Sequence, residues 1–284
     1  MPATLQSLLA ARLDALEPDA RALVADAAVL GSTFPAEALV AVSRQPETEV
    51  RRLLAELVRR EVIGCARTRC HLSGGHYGFV QSMFRQVAYD ILSRRERKAR
   101  HLAVAAHLQT VFADQGEEIA EVIAAHLIDA LTAVPDDPDI PEIRDQAVAM
   151  LTRAGERAER TGAPTTAAAT YTTAADLLEE AGGTENELTA AALLERAGKS
   201  ARIAGLNEVA EQHYRRAAAV YGRHDRPRDA ARANTGVQPG TGQPGPSRGG
   251  PGHAPGCHLR ARTCAGRGYR RSPRPASRAG GRQW

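Results

Sequence analysis

The chain has 284 residues, a net charge of +4 and 43% hydrophobic residues, a length and composition typical of about two globular domains. Residues 234–284 contain nine arginines but no lysine, aspartate or glutamate, which leaves residues 1–233 with a net charge of −5. No run of 18 apolar residues is present to cross a membrane, and the N-terminus lacks the basic and apolar regions of a signal peptide. Four cysteines are too few for a disulfide scaffold, so we expect a cytoplasmic protein with no membrane partner.

Four helices are predicted in the first 60 residues. Leucines at helical spacing predict a first helix that reaches Leu16. Pro18 suits the first turn of a second helix, which Gly31 ends, and a third helix covers residues 35–43. An apolar stripe at positions i, i+3, i+4, i+7 and i+8, beginning at Val50, predicts the fourth helix.

A β-hairpin is predicted after the fourth helix. Two short β-like runs, at residues 62–66 and 77–80, flank the Gly74–Gly75 turn. Three helices followed by such a hairpin form the winged-helix arrangement, which we assign to residues 17–92.

From Gln81 onward the sequence predicts only helices. Prolines alternate with aspartates between Pro135 and Pro141 and predict a linker between two halves of the chain. The helices are expected near residues 81–92, 95–114, 117–133, 141–161, 165–181, 187–204, 207–222 and 225–233.

An internal repeat with an offset of 43 residues lies in the second half. Residues 153–155 match residues 196–198, Tyr171 matches Tyr214, and nine identities fall within 26 residues. Small alanines let paired helices approach closely, and one tyrosine fills the groove between them, as in tetratricopeptide-type solenoids. Two alternatives remain: chance similarity of alanine-rich helices, and tyrosines that are exposed ligand contacts.

The sequence contains no recognisable catalytic or phosphate-binding motif. The nearest fragment to a phosphate loop, Gly198-Lys199-Ser200, lies within a predicted helix and lacks the preceding strand and glycine-rich loop. We therefore predict no catalytic residue, cofactor-binding residue or metal ligand. A zinc site in the hairpin is the alternative to an ordinary polar loop, and its ligands would be Cys65, Cys70, His71 and His76.

Two basic clusters are candidate interaction surfaces. One flanks the apolar stripe of the fourth helix, where a recognition helix would contact a DNA major groove. The other begins the helix that follows the hairpin. Solvated helix faces are the alternative for both clusters. Their members are Arg51, Arg52, Arg59 and Arg60 in the first cluster, and Arg94, Arg95, Arg97 and Lys98 in the second.

Two runs of sequence carry a resemblance to a known family. Residues 2–16, PATLQSLLAARLDAL, together with residues 27–31 and Phe34, resemble the segment that follows the nucleotide-binding domain of STAND-type signalling ATPases. Residues 77–92, YGFVQSMFRQVAYDIL, and residues 94–102 are similar to the subgroup attached to class III adenylate/guanylate cyclase domains in bacteria.

The resemblance covers about residues 1–225 and implies the C-terminal part of a larger regulator. It implies that residues 1–16 are the terminal helix of an ATPase module, residues 93–134 a helical connector and residues 135–233 tetratricopeptide-like repeats. ATP would be the cofactor of the full-length family, with ATPase and adenylate cyclase activities. Neither catalytic module has a counterpart in this sequence, so we predict that the chain itself is not an enzyme.

The predicted function is a regulatory, protein-interaction fragment. It would relay signals between a nucleotide-binding module, in cis or in trans, and an unidentified protein partner on the repeats. A winged-helix transcriptional regulator that reads DNA is one alternative, and part of an adenylate/guanylate cyclase is the other.

The C-terminal 51 residues have the composition of a disordered segment, with 12 glycines and seven prolines. Their arginines predict weak, sequence-independent attraction to nucleic acid. An out-of-frame translation of GC-rich coding sequence is the alternative to a natural basic tail.

Overall fold

A computed structural model describes residues 3–65, 76–113 and 116–237. These residues form twelve helices and one three-stranded sheet, which confirms the prediction of a mainly helical fold. They all belong to the first of two units into which the chain divides, residues 1–245. In chain order the elements are α1 (Ala3–Asp14), α2 (Pro18–Leu30), β1 (Thr33–Pro35), α3 (Ala36–Ser43), α4 (Glu47–Arg59), β2 (Ile63–Cys65), β3 (His76–Phe79), α5 (Ser82–Asp90), α6 (Arg94–Val111), α7 (Gly116–Ala133), α8 (Ile140–Arg160), α9 (Pro164–Ala181), α10 (Thr184–Ile203), α11 (Asn207–Arg223) and α12 (Pro227–Val237).

Local sequence signals explain the bounds of the N-terminal helices. Pro18 opens α2, where its missing N–H costs no helical hydrogen bond. Gly31 follows α2 with a φ of 133°, a conformation that side chains with a Cβ rarely adopt. The apolar stripe of α4 is buried, from Val50 to Leu57.

The three strands form one antiparallel sheet in the order β1-β3-β2. The sequence pattern does not predict strand β1, because it indicates that a helix begins at residue 35 and shows no strand before it. Thr33 pairs with Gly78, and a Cβ atom at Gly78 would lie 2.9 Å from the carbonyl oxygen of Ser32. The glycine therefore permits the close approach of β1 and β3.

Helices α1 through α5 and the sheet share one hydrophobic core. Leu9 and Leu13 of α1, Phe34 of β1 and Phe84 of α5 are all buried in it. Leu8 of α1 lies on the opposite side and is 64% exposed. Helix α1 therefore packs on this core through one face and leaves the other uncovered.

Helices α6 to α12 follow one another as a series in which each helix packs against the next. The proline-rich residues 134–139 form the turn between α7 and α8. Ile140 and Ile143 of α8 share a core with Ile123 and Leu127 of α7, so packing continues across this turn.

Helix α12 continues through residues 234–237, which composition had placed in the disordered tail. Ala233 and Gly236 of this helix are buried. The rest of the predicted tail, residues 238–284, lies outside the described residues. Among the residues that are described, no helix combines the length and apolarity needed to cross a membrane.

Candidate interaction surfaces and a buried histidine cluster

The arginines predicted as an interaction surface on α4 are largely engaged by carboxylates of the same helix. Arg51 Nη2 lies 2.6 Å from Glu47 Oε1, and Arg52 Nη2 lies 2.6 Å from Glu49 Oε1. These hydrogen-bonded pairs lower the pKa of Glu49 and raise those of both arginines. The other two members of the cluster are Arg60, which pairs with Glu56 at 3.0 Å, and Arg59, which is exposed.

Lys98 differs from the expectation of an exposed interaction surface. Its residue exposure is only 5%, and its ammonium group lies 2.7 Å from Asp137 Oδ2 and also pairs with Asp139. These contacts tie α6 to the turn before α8. Lys98 therefore stabilises an internal junction and is not part of an exposed surface.

The three other cationic residues of this cluster have two different environments. Arg94 and Arg95 are exposed in the first turn of α6. Arg97 donates a hydrogen bond of 2.9 Å to the carbonyl oxygen of Asp90. Its guanidinium carbon also lies 4.8 Å from the centre of the Tyr89 ring. Of the four cations in this cluster, only Arg94 and Arg95 therefore have side chains available for a partner.

Tyr171 fills a socket between α8, α9 and α10. Its ring is fully buried, and a Cβ atom at Gly155 would lie 2.5 Å from ring carbon Cε1. The hydroxyl donates a hydrogen bond of 3.1 Å to Glu159, and the guanidinium of Arg196 lies 4.3 Å from the ring centre. Burial raises the pKa of Tyr171 well above its usual value, so the hydroxyl remains a donor.

Tyr214 occupies the equivalent position one repeat later. Cβ atoms at Gly198 and Gly236 would lie 2.9 Å and 2.6 Å from its ring. The guanidinium of Arg202 lies 4.9 Å from the ring centre and also donates to the Gly236 carbonyl oxygen. Tyr214 is half-buried, and Gly236 of α12 packs against one side of its ring.

Between α8 and α12, ion pairs link a helix to the second helix after it in the chain. The links join α8 to α10, α9 to α11, and α10 to α12. Each link therefore spans two helices, which is also the spacing between the two tyrosine sockets. The pairs are Glu159–Arg196 at 2.9 Å, Asp176–Arg216 at 2.7 Å and Glu195–Arg232 at 3.0 Å.

The turn between α10 and α11 carries exposed apolar side chains. Ile203 is 68% exposed, and Leu206 and Val209 are also exposed. Large apolar side chains at one exposed turn are typical of a protein contact.

A cluster of polar groups that was not expected from the sequence lies between α6 and α7. His101 Nδ1 is 2.9 Å from His126 Nδ1 and 3.7 Å from Asp129 Oδ2. The other ring nitrogen of His101, Nε2, lies 3.0 Å from the Tyr89 hydroxyl. His101 is buried, whereas Asp129 reaches solvent.

Burial governs the ionisation of this cluster. Burial and, to a smaller extent, the neighbouring His126 ring together lower the pKa of His101 to about 3. Burial likewise lowers the pKa of His126 to about 4, with a contribution from Arg85. Both rings are therefore neutral at pH 7 and offer nitrogen lone pairs. Among the described residues, these two histidines and Asp129 form the one group with metal-ligand geometry.

The cluster has only a weak signal in the sequence. His126 and Asp129 are three residues apart, which places them on one face of a helix. His101 lies 25 residues earlier, and only the packing of α6 on α7 brings it to them.

The zinc alternative in the hairpin is not supported at Cys65. Cys65 takes part in a disulfide bond, and a disulfide sulfur is not the thiolate that zinc requires. Cys70 and His71 lie outside the described residues.

Comparisons with protein-family models, with curated proteins and with solved structures find no match to this chain.

Proposed function

We propose that this chain is a regulatory protein-interaction module of the kind found in cyclase-associated STAND-type ATPases. In this proposal residues 17–92 are a winged-helix domain, and residues 135–233 are tetratricopeptide-like repeats. The module relays signals between a nucleotide-binding module and a protein partner held by the repeats.

The repeated tyrosine socket is the observation that carries the proposal. Gly155 faces the ring of Tyr171, and Gly198 faces the ring of Tyr214 in the same way. A glycine on the first helix of a pair and an aromatic ring on the second let the two helices pack closely. Two sockets of the same construction, 43 residues apart, support a helical-repeat array.

The order of elements supports a winged helix in the N-terminal part. Helix α2, strand β1, helices α3 and α4, and strands β2 and β3 follow one another, and the sheet places β3 between the other two strands. This order is typical of winged helices, in which α4 is the recognition helix.

Two exposed surfaces fit the two partners. Leu8 extends from the uncovered face of α1, which the resemblance places next to a nucleotide-binding module. Ile203, at the turn between α10 and α11, is slightly more exposed than Leu8 and fits the protein partner of the repeats.

The test uses a nucleotide-binding module from a cyclase-associated signalling ATPase, added in trans to the full chain. We expect Leu8→Asp to weaken their association at least tenfold, because it places a charge on an apolar contact. Ile203→Asp is the matched control, since it makes the same change at similar exposure, and it should leave the association unchanged. Failure of the module to bind the wild-type chain, or equal effects of both substitutions, would contradict the proposal.

A further inference from the structure

We propose that His101, His126 and Asp129 form a zinc-binding site between α6 and α7. The site is independent of the proposed partners of the chain. Two imidazoles and one carboxylate form a common donor set for this ion, and a fourth position is left for water or another ligand.

The donor atoms already lie at distances close to those of a metal site. A tetrahedral zinc ion with bonds of about 2.0–2.1 Å holds neighbouring donors about 3.3 Å apart. His101 Nδ1 is 2.9 Å from His126 Nδ1 and 3.7 Å from Asp129 Oδ2, so the observed separations bracket that value. All three donor atoms lie within 4.8 Å of one another, and small side-chain movements suffice for binding.

Tyr89 supplies the outer support that metal-binding histidines usually have. A histidine that binds zinc through one ring nitrogen carries its proton on the other and donates it to a fixed acceptor. The Tyr89 hydroxyl lies 3.0 Å from His101 Nε2, and the Tyr89 ring packs edge-on against the imidazole. When zinc binds Nδ1, the Nε2–H of His101 donates to the hydroxyl oxygen of Tyr89.

Zinc binding replaces the hydrogen bond that joins the two histidines. One proton is now shared between His101 Nδ1 and His126 Nδ1. In the zinc complex both Nδ1 atoms give their lone pairs to the ion, and that proton moves to an Nε2 atom. The two rings stay neutral, and the Asp129 carboxylate supplies the negative charge.

Nearby cations limit the affinity. Arg85 and Arg97 act electrostatically on His101, and Arg85 also acts on His126 and Asp129. Their positive charges oppose a divalent cation, so we expect a dissociation constant on the order of micromolar.

The location gives the ion a structural consequence. His101 belongs to α6, the other two ligands to α7, and Tyr89 to the last turn of α5. A bound ion therefore links α6 directly to α7, and the hydrogen bond of His101 to Tyr89 extends this link to α5. We expect saturating zinc to raise the melting temperature of the full chain by about 5 °C.

The first experiment is calorimetric titration of the full chain with zinc chloride. His126→Gln should remove one equivalent of bound zinc, as should Asp129→Asn, whose exposed carboxylate can be changed without disturbing the core. The matched controls are His107→Gln on α6 and Asp145→Asn on α8, which should bind as the wild type does. Circular dichroism establishes that each variant is folded. Equal stoichiometry and affinity in the wild type, His126→Gln and Asp129→Asn would overturn the proposal.

The second experiment separates this site from cysteine-containing sites elsewhere in the chain. Cobalt(II) bound to two imidazoles and a carboxylate shows visible d–d bands without sulfur-to-cobalt charge transfer, whereas thiolate ligands produce that charge transfer. Tyr89→Phe should weaken binding about tenfold and leave the cobalt spectrum nearly unchanged, as expected for an outer support. If all cobalt absorption includes sulfur charge transfer and is insensitive to His126→Gln, the proposal is wrong.

Discussion

The socket of Tyr171 leaves no room for a larger side chain at Gly155 of α8. Gly155→Ala would place a methyl group 2.5 Å from the ring, and the buried ring has no free space to enter. We expect it to lower the free energy of unfolding by about 1–3 kcal/mol, as overpacking of a core usually does. Urea denaturation of the full chain measures this change.

Gly222 of α11 offers a matched control for that prediction. A Cβ atom there meets nothing within 4 Å. Gly222→Ala should therefore be neutral, or raise the free energy of unfolding by up to about 1 kcal/mol through helix propensity. Equal destabilisation by both substitutions would show that the Tyr171 ring does not fill a tight socket.

The buried residue His213 should make the stability of the folded chain sensitive to acid. Burial lowers its pKa, as does Arg216, and its Nδ1 atom is buried without a hydrogen-bond partner. Below about pH 6.5 the unfolded chain binds a proton at this residue that the folded chain does not. Stability therefore falls as the pH falls, by at most about 1.4 kcal/mol per pH unit from this residue.

The measurement for His213 compares the wild type with His213→Gln, which stays neutral. Urea denaturation at pH 7.5 and pH 5.5 should show a smaller loss of stability in the variant. The other histidines contribute equally to both proteins, so the difference isolates His213. Equal losses would contradict the prediction.

At the scale of single elements, the ion pairs of α4 oppose a DNA-reading role for this helix. A phosphate contact by Arg51 or Arg52 would have to replace pairs with Glu47 and Glu49. We expect Arg51→Gln/Arg52→Gln to leave duplex binding and the melting temperature of the full chain nearly unchanged, because exposed pairs stabilise little.

Fluorescence anisotropy with labelled duplexes tests this prediction at several salt concentrations. Arg94→Gln/Arg95→Gln removes the same charge from the exposed start of α6 and is the control. Selective loss of duplex binding in the α4 variant alone would favour the winged-helix transcriptional regulator.

Helix α12 completes the second tyrosine socket. Gly236 covers one side of the Tyr214 ring, and its carbonyl oxygen accepts a hydrogen bond from Arg202. A chain that ends at residue 233 exposes that side of the ring and should lose about 1–2 kcal/mol of stability. A chain that ends at residue 237 should melt at the temperature of the full chain, and equal melting of both truncated chains would contradict this role.

The elements that the sequence predicts well are those whose signals are local. Pro18 and Gly31 mark the two ends of α2, and the apolar stripe from Val50 marks α4. Strand β1 has only three residues, including a proline, and it forms because it pairs with β3. A pairing partner more than 40 residues away leaves no periodic pattern in so short a segment.

The candidate sites also divide into those with a signal in the sequence and those that depend on contacts between distant residues. Tyr171 and Tyr214 could be predicted as important because they occupy matching positions of the internal sequence repeat. The burial of Lys98 depends on Asp137 and Asp139, which the turn before α8 brings to it, and a run of cations in the sequence resembles a solvated face. The histidine cluster likewise depends on the packing of two helices.

For the whole molecule, charge is unevenly distributed along the chain. Residues 238–284 contain all nine arginines of the predicted tail and no acidic residue. The full chain should bind nucleic acid weakly and without sequence preference. The slope of log affinity against log salt should be no steeper than about −8. Removal of residues 238–284 should abolish this binding and leave the helical circular-dichroism signal, and retained sequence-selective binding would contradict the prediction.

The tyrosine sockets also bear on how such an array lengthens during evolution. In both sockets the glycine precedes its tyrosine by sixteen residues, so ring and cavity are encoded close together, on two successive helices. A duplication whose breakpoints fall outside that short stretch inherits a matched pair, ready to pack without further substitutions. One that cuts within it inherits a ring without its cavity, and selection would remove most such copies. In the proposed array, two successive helices are thus the smallest unit that carries both the glycine and its tyrosine.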